Sequence, residues 1–280
     1  MPVNDSVIIA LDIVKEQLLD ENPKLDKSDK SDINQAEEYL IQVIDEEVKI
    51  KRGIYTLMAF KFYKKALEPV FLYFVYHRNE ENFISKCSKY IYKFIAELEI
   101  AYFSSRSIEE FYKKAISEVK ASSHPHFEFP QADNDNYKWK AKLRNPVREP
   151  SNYWNTQGLV LRTICYQEEN EHQLMFLNSG ENDWDFQIEH ICPQAGNKDI
   201  DKIYTIGNLT LLEKYWNVEA SDAEYCDKIE CYKESHAIIT KKLPKKYYTW
   251  SLELIDSRTE EMISYLNELF ADWRRDYDKG

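Results

Sequence analysis

A histidine beside an acid, followed by asparagines at set intervals, is a group of side chains that can hydrolyse a phosphodiester. The stretch "DFQIEHICPQ" holds Glu189 and His190, "IGNLTLL" holds Asn208, and "KYWN" holds Asn217. Asn208 lies 18 positions beyond His190, and Asn217 lies 9 further on. Such chemistry needs a neutral imidazole to deprotonate water, an oxygen-ligated divalent ion to stabilise developing charge, and a polar group to hold the imidazole. Magnesium takes few protein ligands, from carboxylate and amide oxygens, and keeps several waters. Glu189 and Asn217 suit that ion, and His190 suits the base. The same residues have a plainer reading: a Glu-His pair at a strand end can be a satisfied structural contact, and an asparagine after glycine is a common turn former.

The elements around these residues decide whether they meet. "WDFQIEHI" predicts a short strand, stopped by Pro193, and "IGNLTLL" predicts a second; "EHQLMFLN" is a further candidate. Strand residues alternate faces, so Glu189 and His190 point apart unless the strand ends there and the loop "QAGNKDIDK" folds over it. Ile188 and Ile191 flank the pair as apolar anchors. "SNYWNTQGLVLRTICYQEE" predicts a helix before the strands, and helices return after Asn217, ending in "WSLELIDSRTEEMISYLNELFADW".

Upstream, apolar residues recur at helical spacing from Val7 to Leu19 and along "NQAEEYLIQVIDEEVKIKR", followed by aromatic-rich helical segments that Pro69 should kink. Ser107, with Glu110 three residues on, predicts a capping box. Prolines and turn formers in "SSHPHFEFPQADNDNY" predict a break. The expected organisation is a helical domain at 1–121, partner-facing or structural, a linker with a basic segment at 122–149, and a chemistry-bearing domain at 150–280. The fold class expected is mainly α with a small β component.

The 280 residues carry a formal charge of -12, which argues against a general polyanion binder. Positive charge must then be local. "KWKAKLRNPVR" provides Lys138, Lys140, Lys142, Arg144 and Arg148 around Trp139, a mixture suited to phosphate contact and base stacking, or equally to a solvated edge. "KKLPKKYY" is a second such stretch. The 5 cysteines form no CxxC pair and read as reduced, mostly buried thiols, while His172 and His236 read as structural. With 6 glycines there is no glycine-rich phosphate loop. No apolar run approaches a membrane span and the first residues lack a signal-peptide pattern, so a cytoplasmic protein with no membrane partner is expected.

In order, "IEHICPQ", "IGNLTLL", "YWN", "SDAEYCDK", "YKES" and "WSLELIDSRTEEM" resemble the HNH nuclease domain at the C-terminal end of GmrSD-type modification-dependent restriction enzymes. The resemblance runs from about residue 150 to 273. It implies a ββα-metal core embedded in helices, two antiparallel strands and a helix around one divalent ion. By that resemblance His190 is the general base, Glu189 binds or orients the metal, Asn208 braces the loop carrying the base, Asn217 is a metal ligand, and Lys228 has a phosphate role. Cys192 stands where the family has an aliphatic residue, and Asp222 and Tyr225 replace Asn and Phe. Asparagine at the third motif position favours Mg2+ or Mn2+ over zinc.

The implied protein is a metal-dependent DNA endonuclease of a restriction or anti-phage defence system, acting on modified or phage DNA. Many relatives carry a nucleotide-hydrolysing domain with an Asp-Gly-Gln-Gln-Arg motif, which is not found in this sequence, so the chain resembles either a separately encoded nuclease subunit with a nucleotide-hydrolysing partner or a fragment of a longer protein. Two other readings stay open: a catalytically inactive helical interaction subunit, and an RNA-cleaving nuclease using the same site.

Overall fold

The computed structural model describes residues 69, 72–73, 76–77, 79–81, 86–87, 90–91, 93–101, 105–127, 138–144, 150–168, 186–194 and 200–278. The helices expected at 7–19 and 34–52, the strand expected at 171–178, His172 and the flanks of Pro69 lie outside them. The described residues are mainly helical, with one two-stranded antiparallel sheet. The chain divides into two compact units, Met1–Gln131 with Trp273–Gly280, and Ala132–Asp272.

In the first unit, helix α1 (Lys93–Ala101) is buried on almost every side, as its run of apolar residues requires. Helix α2 (Ser105–Ala121) buries Tyr112, Ala115 and Val119, spaced three and four apart, and exposes Lys113, Lys114 and Ser117 between them. It begins two residues before the expected cap, so Ser107 lies inside the first turn. Phe94 stacks on Phe127 with ring centroids 4.2 Å apart. Beside them Glu97 is fully buried and takes the Arg274 guanidinium, with Nε 2.7 Å from Oε1, while its Oε2 has no hydrogen-bond partner. Burial pushes this carboxyl up to about 7 against the opposing pull of Arg274.

The second unit contains α3 (Lys138–Arg144), α4 (Pro150–Glu168), β1 (Phe186–His190), α5 (Ile200–Ile203), a 3-10 turn (Ile206–Asn208), β2 (Leu209–Glu213), α6 (Lys214–Ala220), α7 (Tyr225–Glu234), α8 (Ile238–Lys241), α9 (Leu243–Lys246) and α10 (Leu252–Asp278) up to Asp272. Pro150 opens α4, where a missing N–H costs nothing. β1 and β2 pair from Phe186↔Glu213 to His190↔Leu209. Two strands alone are marginal in water, so helices must cover them. β2 is buried along its whole length, with α4, α6 and α8 against it.

Ile191, Leu212, Tyr225, Tyr232 and Leu243 form a core below the hairpin, edged by Trp216 and Trp250. Each such side chain contributes about 1.5–3 kcal/mol on full burial. Ile191 is thus the anchor expected of it, whereas Ile188 is half-exposed. Cys87, Cys165 and Cys231 are buried, Cys192 is half-buried and Cys226 exposed, all as free thiols. Among the described residues no helix is long and apolar enough to cross a membrane.

Candidate active site

β1 ends at His190, and its alternation puts Gln187 and Glu189 on one face and Ile188 and His190 on the other. The imidazole meets Tyr204 edge to face, with centroids 5.5 Å apart at 87°. The Gln194 amide nitrogen lies 3.1 Å from Nδ1 and 3.0 Å from Nε2. A nitrogen equally near both ring nitrogens lies over the ring, not in line with either lone pair. The ring is therefore held from two sides at the start of the polar loop. Burial first, and then the nearby Lys228 ammonium, pull His190 down to about 4, against a smaller opposing effect of Asp222. The imidazole is neutral at pH 7, the protonation state a general base requires.

Glu189 points into the opposite face and is buried, 5 % exposed. Its Oε1 accepts from Lys228 Nζ at 2.7 Å and from Tyr232 Oη at 3.0 Å, both on α7. Burial raises this carboxyl above the usual range, while Lys228 and Tyr232 oppose the rise. Removing one member of such a buried pair strands the other, at a cost of about 3–5 kcal/mol. Lys228 is itself 1 % exposed, and its ammonium also donates to the His190 carbonyl at 2.8 Å. In the structure the Lys228 charge is thus engaged inside the protein and does not face solvent.

Asn208 is fully buried and ties together three segments. Its Nδ2 donates to the carbonyls of Cys192 and Ile203, each at 3.0 Å. Its Oδ1 accepts from the Cys192 N–H at 2.8 Å and the Trp250 indole N–H at 3.1 Å, and the Ile191 N–H donates to its carbonyl at 2.9 Å. The start of the loop after His190 is thereby fastened to β2. Asn217, half-buried on α6, donates from Nδ2 to Gln187 Oε1 at 2.6 Å. Asn217 therefore sits against the strand face that carries Gln187 and Glu189.

Among the described residues no group of three His, Cys, Asp or Glu side chains converges. Glu189 and Asn217 offer one carboxylate and one amide oxygen beside the same strand face, with no thiolate between them. A carboxylate and an amide oxygen are the donor types a hard cation such as magnesium takes, and here the Glu189 Oε1 is already bonded to Lys228 and Tyr232. It does not fit a closed zinc site.

Gly207 explains why "IGNLTLL" and "DSRTEEM" belong together. A Cβ there would stand 2.1 Å from the Ile255 carbonyl and 2.3 Å from Thr259 Oγ1, so α10 seats directly on the 3-10 turn. The Gly207 N–H donates to Thr259 Oγ1 at 3.1 Å, and buried Arg258 donates to the carbonyls of Gly207 and Leu209 at 2.7 and 2.8 Å. α6, which carries Asn217, ends at Ser221 with φ 45°, a conformation a serine adopts at a cost.

The basic stretch 138–144 is a helix with an inward side. Trp139 and Leu143 are buried, and Trp139 meets Phe270 at 5.7 Å, so its face is not open to a base. Lys140 donates to Asn267 Oδ1 at 2.7 Å, and Arg144 grips Glu260 with two bonds at 2.5 and 2.7 Å. The side chains of Lys138 and Lys142 lie outside the described residues. In "KKLPKKYY", by contrast, Lys241, Lys242 and Lys245 are exposed beside Tyr248, which is 89 % exposed, while Lys246 pairs with Glu261. A cavity of about 370 Å³ nearby is lined by apolar residues such as Ile164, Ile239 and Met262 together with Lys242, Arg258 and Glu261.

Sequence reasoning missed Tyr232, Gln194, Tyr204 and Arg258. One signal was present for the first: Tyr225, Lys228 and Tyr232 stand at i, i+3 and i+7 on one stripe of α7.

The strand end thus carries a histidine on one face, held beside a fastened loop, and on the other face a buried carboxylate near the Asn217 amide. The model of the family described as GmrSD restriction endonucleases, C-terminal domain, matches residues 76–265, more than half of the chain. The chain belongs to this family and is a nuclease domain of a restriction system; restriction endonucleases act on DNA. The match begins in the first unit, well before residue 150, where the motifs begin. No curated protein matches the chain.

Proposed function

We propose that the chain is a metal-dependent DNA endonuclease of the HNH type, with β1, β2 and α6 forming its ββα core and His190 the general base. The observation that carries this reading is the His190 imidazole, kept neutral and held by Tyr204 and Gln194 at the end of a strand whose other face bears Glu189 and meets Asn217 of α6.

His190 accepts a proton from water, the water oxygen bonds to phosphorus, and the P–O3′ bond breaks with a proton returning to the departing oxygen. Glu189 and Asn217 are the residues that would hold a divalent ion, Mg2+ or Mn2+, with Glu189 sharing its carboxylate between Lys228 and the ion, and the ion would supply charge stabilisation for the phosphoryl and leaving oxygens. Asn208 keeps the loop start in place, so that the ring faces its substrate with little reorganisation. Exposed Lys241, Lys242 and Lys245 supply backbone contacts, with Tyr248 available to stack. Lys140 and Arg144 add contacts by exchanging Asn267 and Glu260 for phosphate. In a chain of charge -12 these contacts are sparse, which supports delivery to DNA by a nucleotide-hydrolysing partner subunit.

Nicking of plasmid DNA in Mg2+ or Mn2+, with the partner present and absent, tests the reading. Wild type is expected to cleave, and Asn217→Ala to require far more metal. Cleavage of RNA in place of DNA would select the ribonuclease reading. No cleavage of either under any metal would select the inactive interaction subunit.

A further inference from the structure

We infer that Lys228 is a positioning residue for His190, holding its main chain from inside the protein without touching substrate. The inference rests on the reading of His190 as the base and deepens it.

Lys228 lies on the buried stripe of α7, between Tyr225 and Tyr232. Burying an ammonium is costly unless its donors are used, so where they go is informative. One goes to Glu189 Oε1 at 2.7 Å and another to the His190 carbonyl at 2.8 Å. Tyr232 Oη adds a third donor to the construction, 3.0 Å from the same Oε1. The His190 carbonyl belongs to the last register position of the β1–β2 ladder, where the strand gives way to loop. Lys228 thus clamps the final two residues of the strand, one through its side chain and one through its backbone.

With that backbone fixed, the Cα–Cβ direction of His190 is fixed, and Tyr204 and Gln194 confine what rotation is left. Asn208 secures the next residues from the β2 side, through the Ile191 and Cys192 N–H groups. Clamp and brace meet across one peptide. A displacement of about 1 Å at a reacting group can cost on the order of 100-fold in rate, so loosening this clamp should appear in turnover and not in affinity.

The test compares the full-length wild type with Lys228→Met, Tyr232→Phe and the double variant, measuring kcat, KM, the salt dependence of DNA binding, and the 15N ring signals of the histidines. Lys228→Met is expected to lower kcat about 100-fold, with KM and the salt slope unchanged. It should also move the His190 ring signals and leave those of His236 in place. Tyr232→Phe should lower kcat roughly 5-fold, and the double variant should be no slower than Lys228→Met, as members of one unit behave.

A raised KM with a salt slope smaller by about 0.9 would mean that Lys228 meets phosphate, and would overturn the inference. An unchanged kcat in folded Lys228→Met would also overturn it. If Lys228→Met fails to fold, Tyr232→Phe decides, and wild-type kcat with unmoved His190 signals there would overturn it. If wild type cleaves no nucleic acid, the hydrolysis reading itself fails. The His190 signals of folded Lys228→Met then decide the positioning alone: moved, it stands; unmoved, it falls.

Discussion

The β1–β2 hairpin has a glutamate and a histidine near each end, and it treats the two pairs in opposite ways. At the open end, Glu213 takes Ser235 Oγ at 2.8 Å and the His236 N–H at 2.6 Å, and His236 Nδ1 lies 3.0 Å from it. At the loop end, Glu189 turns inward to Lys228 and Tyr232, while His190 turns to the other face. The first arrangement is complete in itself and joins α7 to α8. The second buries the imidazole, puts a cation close by and keeps the Glu189 carboxylate away, so His190 stays neutral. A structural histidine gains from an acid at its nitrogen; a general base at neutral pH is better without one, because a nearby carboxylate favours the charged form.

The comparison can be tested hardest at the seat of the loop end. Gly207→Ala drives a methyl into the backbone of α10, where no rotamer change can relieve it, and should cost on the order of 4 kcal/mol in denaturant unfolding. Next in size is a control outside the hairpin. Glu97 is a buried carboxylate whose Oε2 has no donor, and its folded pKa of about 7 exceeds the ordinary 4.5. The folded state therefore holds the proton more tightly, and the stability this confers is complete below pH 4.5 and lost as pH rises through about 7. Wild type should lose on the order of 3 kcal/mol more than Glu97→Gln across that interval, measured by urea unfolding at each pH.

At the open end, Glu213→Ala strands the Ser235 hydroxyl and the His236 N–H and should cost about 2–3 kcal/mol by thermal unfolding. Ser221→Gly should gain about 1 kcal/mol by relieving the positive φ after α6. His236→Ala should cost less than about 1 kcal/mol and leave cleavage within about 2-fold of wild type. A larger loss of cleavage there would erase the distinction between the two ends.

Much of this geometry was legible in the sequence, in proportion to how local its cause is. "WDFQIEHI" and Pro193 mark β1 and its end because alternation and a missing N–H act within a few residues. "IGNLTLL" marks β2, but its first residues are a 3-10 turn, since Gly207 serves a helix some fifty positions later. Nothing within that stretch announces such a contact. The phosphate role of Lys228 is an expectation from the resemblance alone, whereas its place between Tyr225 and Tyr232 already puts it on the buried stripe. The sequence leaves the basic stretch around Trp139 open between a nucleic-acid face and a solvated edge, whereas Trp139 and Leu143, four apart, are already the inner stripe of a helix. The opposite faces of Glu189 and His190 follow from strand alternation, but what each face meets depends on α7 and the loop, which pattern alone cannot place.

The most direct measurement is metal-dependent nicking of plasmid DNA by wild type, His190→Ala and His236→Ala, each with its fold verified. His190→Ala is expected to be slower by at least about 100-fold while His236→Ala matches wild type. Cleavage by His190→Ala at the wild-type rate would contradict it.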